Sequence, residues 1–184
     1  MVSLGQLWIP ILAAAVACHL IGFLMWVVMP HHRSDFTPTP DESGLRNLWK
    51  GKIAPGLYIV PFGTHETMRN PEMKAKREEG PNAFITVLPN GMGNMGIQQG
   101  KNVLFHALVS CFVAYLASAT LPIGTDYLKV FQVAGTAAIL AYGFTWGHQT
   151  IWFGQPFRVS MKYAFDGIVM GLVTAGIFGW LWPR

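Results

Sequence analysis

The sequence predicts an all-α membrane protein of four antiparallel transmembrane helices, with a long, partly structured loop between the first and second. Composition is the first ground. Of 184 residues, 52% are hydrophobic and 12% charged, with mean hydropathy +0.35, whereas soluble domains carry about 25% charge. The second ground is four separate apolar runs, at 7–29, 102–121, 127–146 and 160–182. Each is about 20 residues or more, which as a helix covers the roughly 30 Å of a bilayer core. The third is aromatic bracketing. Trp8 and Trp26 flank the first run, Tyr127 and Trp146 the third, and Tyr163 and Trp180 the fourth, as interfacial belts do.

The first run carries Pro10 in its first turn, where proline is tolerated. It lacks a basic leader, and Pro30-His31-His32 is no small-residue cleavage site. It therefore reads as a retained span rather than a signal peptide. Residues 120–126 are too short for anything but an antiparallel hairpin between the second and third runs. Residues 148–159 read as a connection into the last helix. Up-down-up-down order puts both termini on one side.

Residues 30–101 hold 9 of the 13 basic residues and 7 of the 9 acids. The chain thus divides into 1–29 (helix 1), 30–101 (extramembrane segment) and 102–184 (helices 2 to 4). Within the segment, Pro40 opens a short helix capped by Thr39 and stopped by Gly51, with Leu45, Leu48 and Trp49 on one face. Residues 56–60 and 83–88 alternate as two short strands. Asn70-Pro71 and Gly80-Pro81 bracket a polar helix, and 89–100 is a glycine- and methionine-rich loop. Arg33, Lys101, Arg158 and Lys162 flank this side of the bundle, against Lys129 and Arg184 on the other. The positive-inside rule then places the long loop in the cytoplasm.

The last run carries Gly167, Gly171, Ala175 and Gly179 at a spacing of four. On a helix these form a flat stripe where another backbone can come close. Ala14, Cys18 and Gly22 form a matching stripe on the first run, which makes the first span the expected internal neighbour. Cys18 and Cys111 lie inside apolar runs and read as packing residues.

No nucleophile elbow, phosphate-binding loop or metalloprotease motif is present. Gly91-Met92-Gly93-Asn94-Met95-Gly96 precedes an apolar helix, not a dinucleotide-binding one. The net charge of +4 is spread without a basic stripe, so no nucleic-acid partner is expected. His19 is the one ionisable group deep in a span, and a neutral histidine there calls for a hydroxyl partner such as Ser110 or Thr136. His106 stands at a similar depth on the second run, so the two suit a haem or a chlorophyll-like pigment. His31-His32, with Asp35 and the distant His65-Glu66, carries zinc-type ligands without a zinc-type spacing; these residues read as solvated. Asp166 is expected to pair with Lys162, one helical turn before it. A lone intramembrane acid argues against a proton-coupled pump.

Trp152-Phe153-Gly154-Gln155-Pro156, then Tyr163, Asp166-Gly167 and the closing Gly179-Trp180-Leu181-Trp182-Pro183, together with Gly22-Phe23-Leu24-Met25-Trp26, resemble parts of a group of bacterial four-helix integral membrane proteins. That group carries no assigned activity, and its first loop is shorter. The resemblance implies a bacterial inner membrane and transfers no functional residue. The expectation is a non-catalytic accessory or assembly subunit of a larger inner-membrane complex, in contact with lipid and other integral membrane subunits and needing no cofactor. The alternative is a membrane-embedded haem-, pigment- or metal-binding protein or enzyme that uses His19 and His106.

Overall fold

A computed structural model describes residues 2–184. Helix dominates, and four helices are long and apolar enough to cross a membrane: Leu4–Val28, Met95–Thr120, Tyr127–Phe153 and Phe157–Trp180. The chain falls into two compact units. One comprises the residues up to Phe36 with Gly93–Arg184; the other is Thr37–Met92.

The helical unit begins with a 3-10 turn, Leu4–Leu7, that runs into α1 (Trp8–Phe23). The last turn, Leu24–Val28, widens so that Met29 N–H reaches Leu24 O at 2.9 Å. Pro30 then ends the helix, because it brings no N–H to continue the ladder. The second span, labelled α4 (Met95–Thr120), starts seven residues before the expected 102. The Asn94 side chain accepts from Ile97 N–H at 3.2 Å and caps it, so part of the expected loop is helix. The third span is α5 (Tyr127–Gly143), followed by α6 (Trp146–Phe153) where a connection was expected. Gly154, at φ +69°, supplies the left-handed residue that ends α6. The last span is α7 (Phe157–Trp180).

The α5–α7 contact is the most extensive in the unit. Its cause is the small-residue stripe. A Cβ at Gly167 would lie 2.5 Å from the Tyr142 carbonyl, one at Gly171 2.9 Å from Ile139 N, and one at Gly179 2.7 Å from the Tyr127 ring. Ala175 faces Gly135, where an added Cβ would be 2.9 Å from that of Ala175. Positions rise along α7 as they fall along α5.

The stripe therefore docks inside the chain, on the third span rather than on the expected first one. Ala14 and Cys18 are buried, but Cys18 meets the neighbouring face of α7, with its Sγ 3.3 Å from Thr174 Oγ1 and 3.6 Å from Met170 O. A Cβ at Gly22 would touch Met170 Cε at 3.2 Å. Two small stripes do not have to meet. The α7 stripe is filled by the bulk of Ile139 and Tyr127, as ridges fill grooves. The connection 121–126 is tied to the chain end by Gly124 N–H to Pro183 O (2.9 Å) and Trp182 Nε1–H to Pro122 O (3.0 Å).

The second unit contains α2 (Glu42–Trp49), β1 (Gly56–Val60), α3 (Pro71–Glu79) and β2 (Ala83–Val87). The strands pair antiparallel, from Gly56 opposite Val87 to Val60 opposite Ala83. Asp41, not Thr39, caps α2: its Oδ1 accepts from Gly44 N–H at 2.8 Å. Aspartate caps as well as threonine and sits directly before the first turn.

Candidate functional site

The site forms where α1 ends and α7 begins. After Pro30 the chain turns tightly, with Arg33 N–H to Pro30 O (3.1 Å) and Asp35 N–H to His32 O (3.0 Å). That turn folds the His31 and His32 rings back onto α7, where both meet one carboxylate. His31 Nε2 lies 3.1 Å from Asp166 Oδ1, and His32 Nε2 lies 2.7 Å from Asp166 Oδ2. On its other side His32 Nδ1 meets Asp35 Oδ2 at 2.6 Å. The two aspartate side chains and His32 are each at most 7% exposed.

The His32 ring is thus held between two carboxyl groups, one at each ring nitrogen. The ring stacks on Trp26 with centroids 4.1 Å apart and planes 9° from parallel, which fixes its orientation. Lys162 neutralises the second carboxylate by contacting Asp35 Oδ1 and also reaches Ser34 Oγ at 3.0 Å and the His31 carbonyl. Burial acts to raise the Asp35 carboxyl. Hydrogen bonds from Lys162 and His32, with their charges, overcome it and hold the group below the usual carboxylate range. Arg158 Nη2 donates to Ser34 O at 3.0 Å and fixes the turn from outside.

This arrangement differs from the sequence expectation in two ways. Lys162 pairs with Asp35 instead of Asp166, because the returning turn brings a second acid within its reach. His31, His32 and Asp35 are held against α7 rather than solvated. His65 and Glu66 are exposed residues of the other unit and stand outside the cluster. A signal for the site was available: the end of the first run and the start of the last were expected at the same interface, one carrying two histidines and the other an acid.

One ligand atom each from His31, His32 and Asp166 lie within 4.8 Å of one another. Ligands about 2.1 Å from a tetrahedral metal stand roughly 3.4 Å apart, so small rotations suffice to admit an ion. Asp35 behind His32 supplies the carboxylate that commonly orients a metal-binding imidazole. His31 Nδ1 is buried without a hydrogen-bond partner, so that ring is not fully satisfied by protein alone.

The helices also border a half-open cavity of about 460 Å³ next to the cluster, with Asp166 as a shared wall. His19 and His106 both line it. His19 has neither of the hydroxyl partners expected for it, Ser110 and Thr136. His19 Nδ1 faces the Asn102 amide nitrogen at 3.2 Å, and His106 Nδ1 faces the Tyr142 hydroxyl at 3.3 Å. Ser110 is buried with its Oγ unpartnered, and Thr136 is exposed. No family model, curated protein or solved structure matches this chain.

Proposed function

We propose that this chain is a multi-pass membrane protein that holds one divalent transition-metal ion, of the zinc class, at the membrane-interface end of its bundle. His31, His32 and Asp166 are the ligands. Four helices of sufficient length and apolarity support insertion as antiparallel spans. The charge pattern supports a cytoplasmic long loop.

The observation that carries the metal reading is the convergence of three ligand types on one point, with Asp35 and Lys162 arranged behind them. A metal takes the place of the His32 Nε2 proton, while Nδ1–H keeps its bond to Asp35. Asp166 turns from hydrogen-bond acceptor to ligand. Three protein ligands leave a fourth position for water or a substrate atom, the pattern of a reactive rather than a purely structural zinc site. Cobalt(II) added to the purified chain in detergent tests this. One equivalent with the visible bands of a tetrahedral ion is expected, lost in His32→Ala and Asp166→Asn. Equal cobalt binding by wild type and both variants refutes the site. Reporter fusions at the two ends and in residues 37–92 test the topology: both ends on one side and the loop on the other are expected.

A second reading, a subunit of a larger membrane complex, has one observation in its favour. Gln132 is exposed on the outward face of α5, beside Thr136 and a groove against α4, and its carboxamide makes no hydrogen bond. A partner helix would satisfy that group in lipid. Recovery of a heteromeric complex after mild solubilisation, lost in Gln132→Leu, supports it; recovery of the chain alone counts against it.

A further inference from the structure

The cavity beside the cluster is far larger than an ion needs, and its lining describes a different occupant. Its volume, about 460 Å³, falls within the roughly 300–1,000 Å³ typical of small-molecule sites. Phe23 and Val27 line it and are 49% and 59% exposed, so its mouth opens on the outer face of the first span. On the membrane reading, that face meets lipid.

Inside, two imidazoles present unpaired nitrogens. His106 is 3% exposed; Tyr142 occupies its Nδ1, and Nε2 makes no hydrogen bond to the protein. His19 is held in the same way by Asn102. An amide nitrogen only donates, so His19 Nδ1 accepts and the proton sits on Nε2. When the Tyr142 hydroxyl donates to Nδ1, His106 likewise carries its proton on Nε2. The cavity wall therefore offers two N–H donors that a ligand's oxygens can meet. Trp26, Phe105 and Tyr163 supply flat apolar faces. Among the described residues no lysine or arginine lines the space, and the one acid that does, Asp166, is already held by His31 and His32.

We infer that this cavity binds the head group of a lipid-soluble quinone. The ring lies between the aromatic side chains, its carbonyl oxygens accept from His19 and His106 Nε2–H, and its apolar tail leaves past Phe23 and Val27 into lipid. A haem fits less well. Its axial bond would need a bare Nε2 on His19, with the proton on the side that faces the Asn102 amide. Its propionates would find no cation in the lining. A phosphorylated or carboxylated ligand meets the same objection.

The test uses the whole chain in lipid nanodiscs, with a benzoquinone bearing a decyl tail as probe. Saturable quenching of tryptophan fluorescence is expected, at one probe per chain. His106→Leu removes a donor, and Ala141→Phe fills the cavity from a half-buried lining position. Each is expected to weaken binding at least tenfold, while Gln132→Leu on the outward groove leaves it unchanged. If His106→Leu does not fold, the Ala141→Phe result decides. Absence of saturable quenching overturns the inference, as does unchanged affinity in Ala141→Phe. A stoichiometric Soret band on adding haemin, lost in the His106 variant, overturns it in favour of a haem. Neither histidine is a ligand of the proposed metal site, so cobalt binding and quinone binding fail independently.

Discussion

Gly171→Leu is the sharpest perturbation of this bundle. The backbone of α5 stands so near that the first added carbon would lie 2.9 Å from Ile139 N and 3.1 Å from Ile139 Cα. Carbon atoms prefer about 3.5–4.0 Å, so the two helices must part by more than half an ångström before the rest of the side chain is placed. Overpacking of this kind costs about 1–3 kcal/mol when flexible side chains can yield, and here backbone atoms oppose it. A loss near the upper end is therefore expected. For a chain of 150–250 residues, 3 kcal/mol corresponds to roughly 6–12 °C in Tm. In lipid no hydrophobic drive pulls the helices back together, so the lost contact is not recovered elsewhere. The assay is thermal melting by circular dichroism in one detergent. Leu172→Ala is the control, because Leu172 is 45% exposed on another face of the helix; it should shift stability by no more than about 0.5 kcal/mol. A Gly171→Leu protein that melts within 2 °C of wild type (roughly 1 kcal/mol or less at this size) would refute the close-packing argument.

Two further outcomes follow from the site and the second unit. Asp35→Asn keeps the side-chain shape but removes the carboxylate behind His32, and metal affinity measured by cobalt titration should fall about 10- to 100-fold. In the second unit, Leu48, Leu57, Phe62 and Leu88 are all at least 60% exposed, an apolar surface that a lipid headgroup layer would cover. A variant with Trp49 as its one tryptophan should blue-shift on reconstitution into anionic vesicles; unchanged, readily quenched emission would count against lipid contact.

The helices were legible in the sequence because membrane burial leaves a strong signature: long apolar runs, aromatic ends and charge confined to the loops. Both strands and the polar helix α3 were legible from proline, glycine and alternation. The start of α4 and the whole of α6 were not. Residues 95–101 are glycine-rich and polar, and they extend the apolar helix at its start, which the Asn94 side chain caps by bonding forward to Ile97 N–H. The stripe on α7 announced a docking face but not its partner, because small residues are equally compatible with a small or a bulky opposing surface. The cluster was missed for a similar reason. Sequence spacing put Lys162 and Asp166 one turn apart on one helix, whereas the turn after Pro30 offers each of them a better partner from more than 120 positions away.

The glycine stripe and the cluster are two consequences of one rotation of α7. Gly167, Gly171, Ala175 and Gly179 fix the helix against α5. The row one residue behind them, Asp166, Met170 and Thr174, is thereby turned about 100° away. That row meets α1 and then the turn that follows it: Thr174 contacts Cys18, Met170 faces Gly22, and Asp166 receives both histidines. The carboxylate is thus aimed by contacts on a different side of its own helix. It follows that a change at Gly171, which touches neither histidine nor acid, should weaken cobalt binding as well as stability. The milder Gly171→Ala adds only the first carbon, and it isolates the effect once circular dichroism shows wild-type helix content. Metal affinity should drop severalfold while Leu172→Ala leaves it unchanged. Equal affinity in both would mean that the turn after Pro30, not the register of α7, positions Asp166.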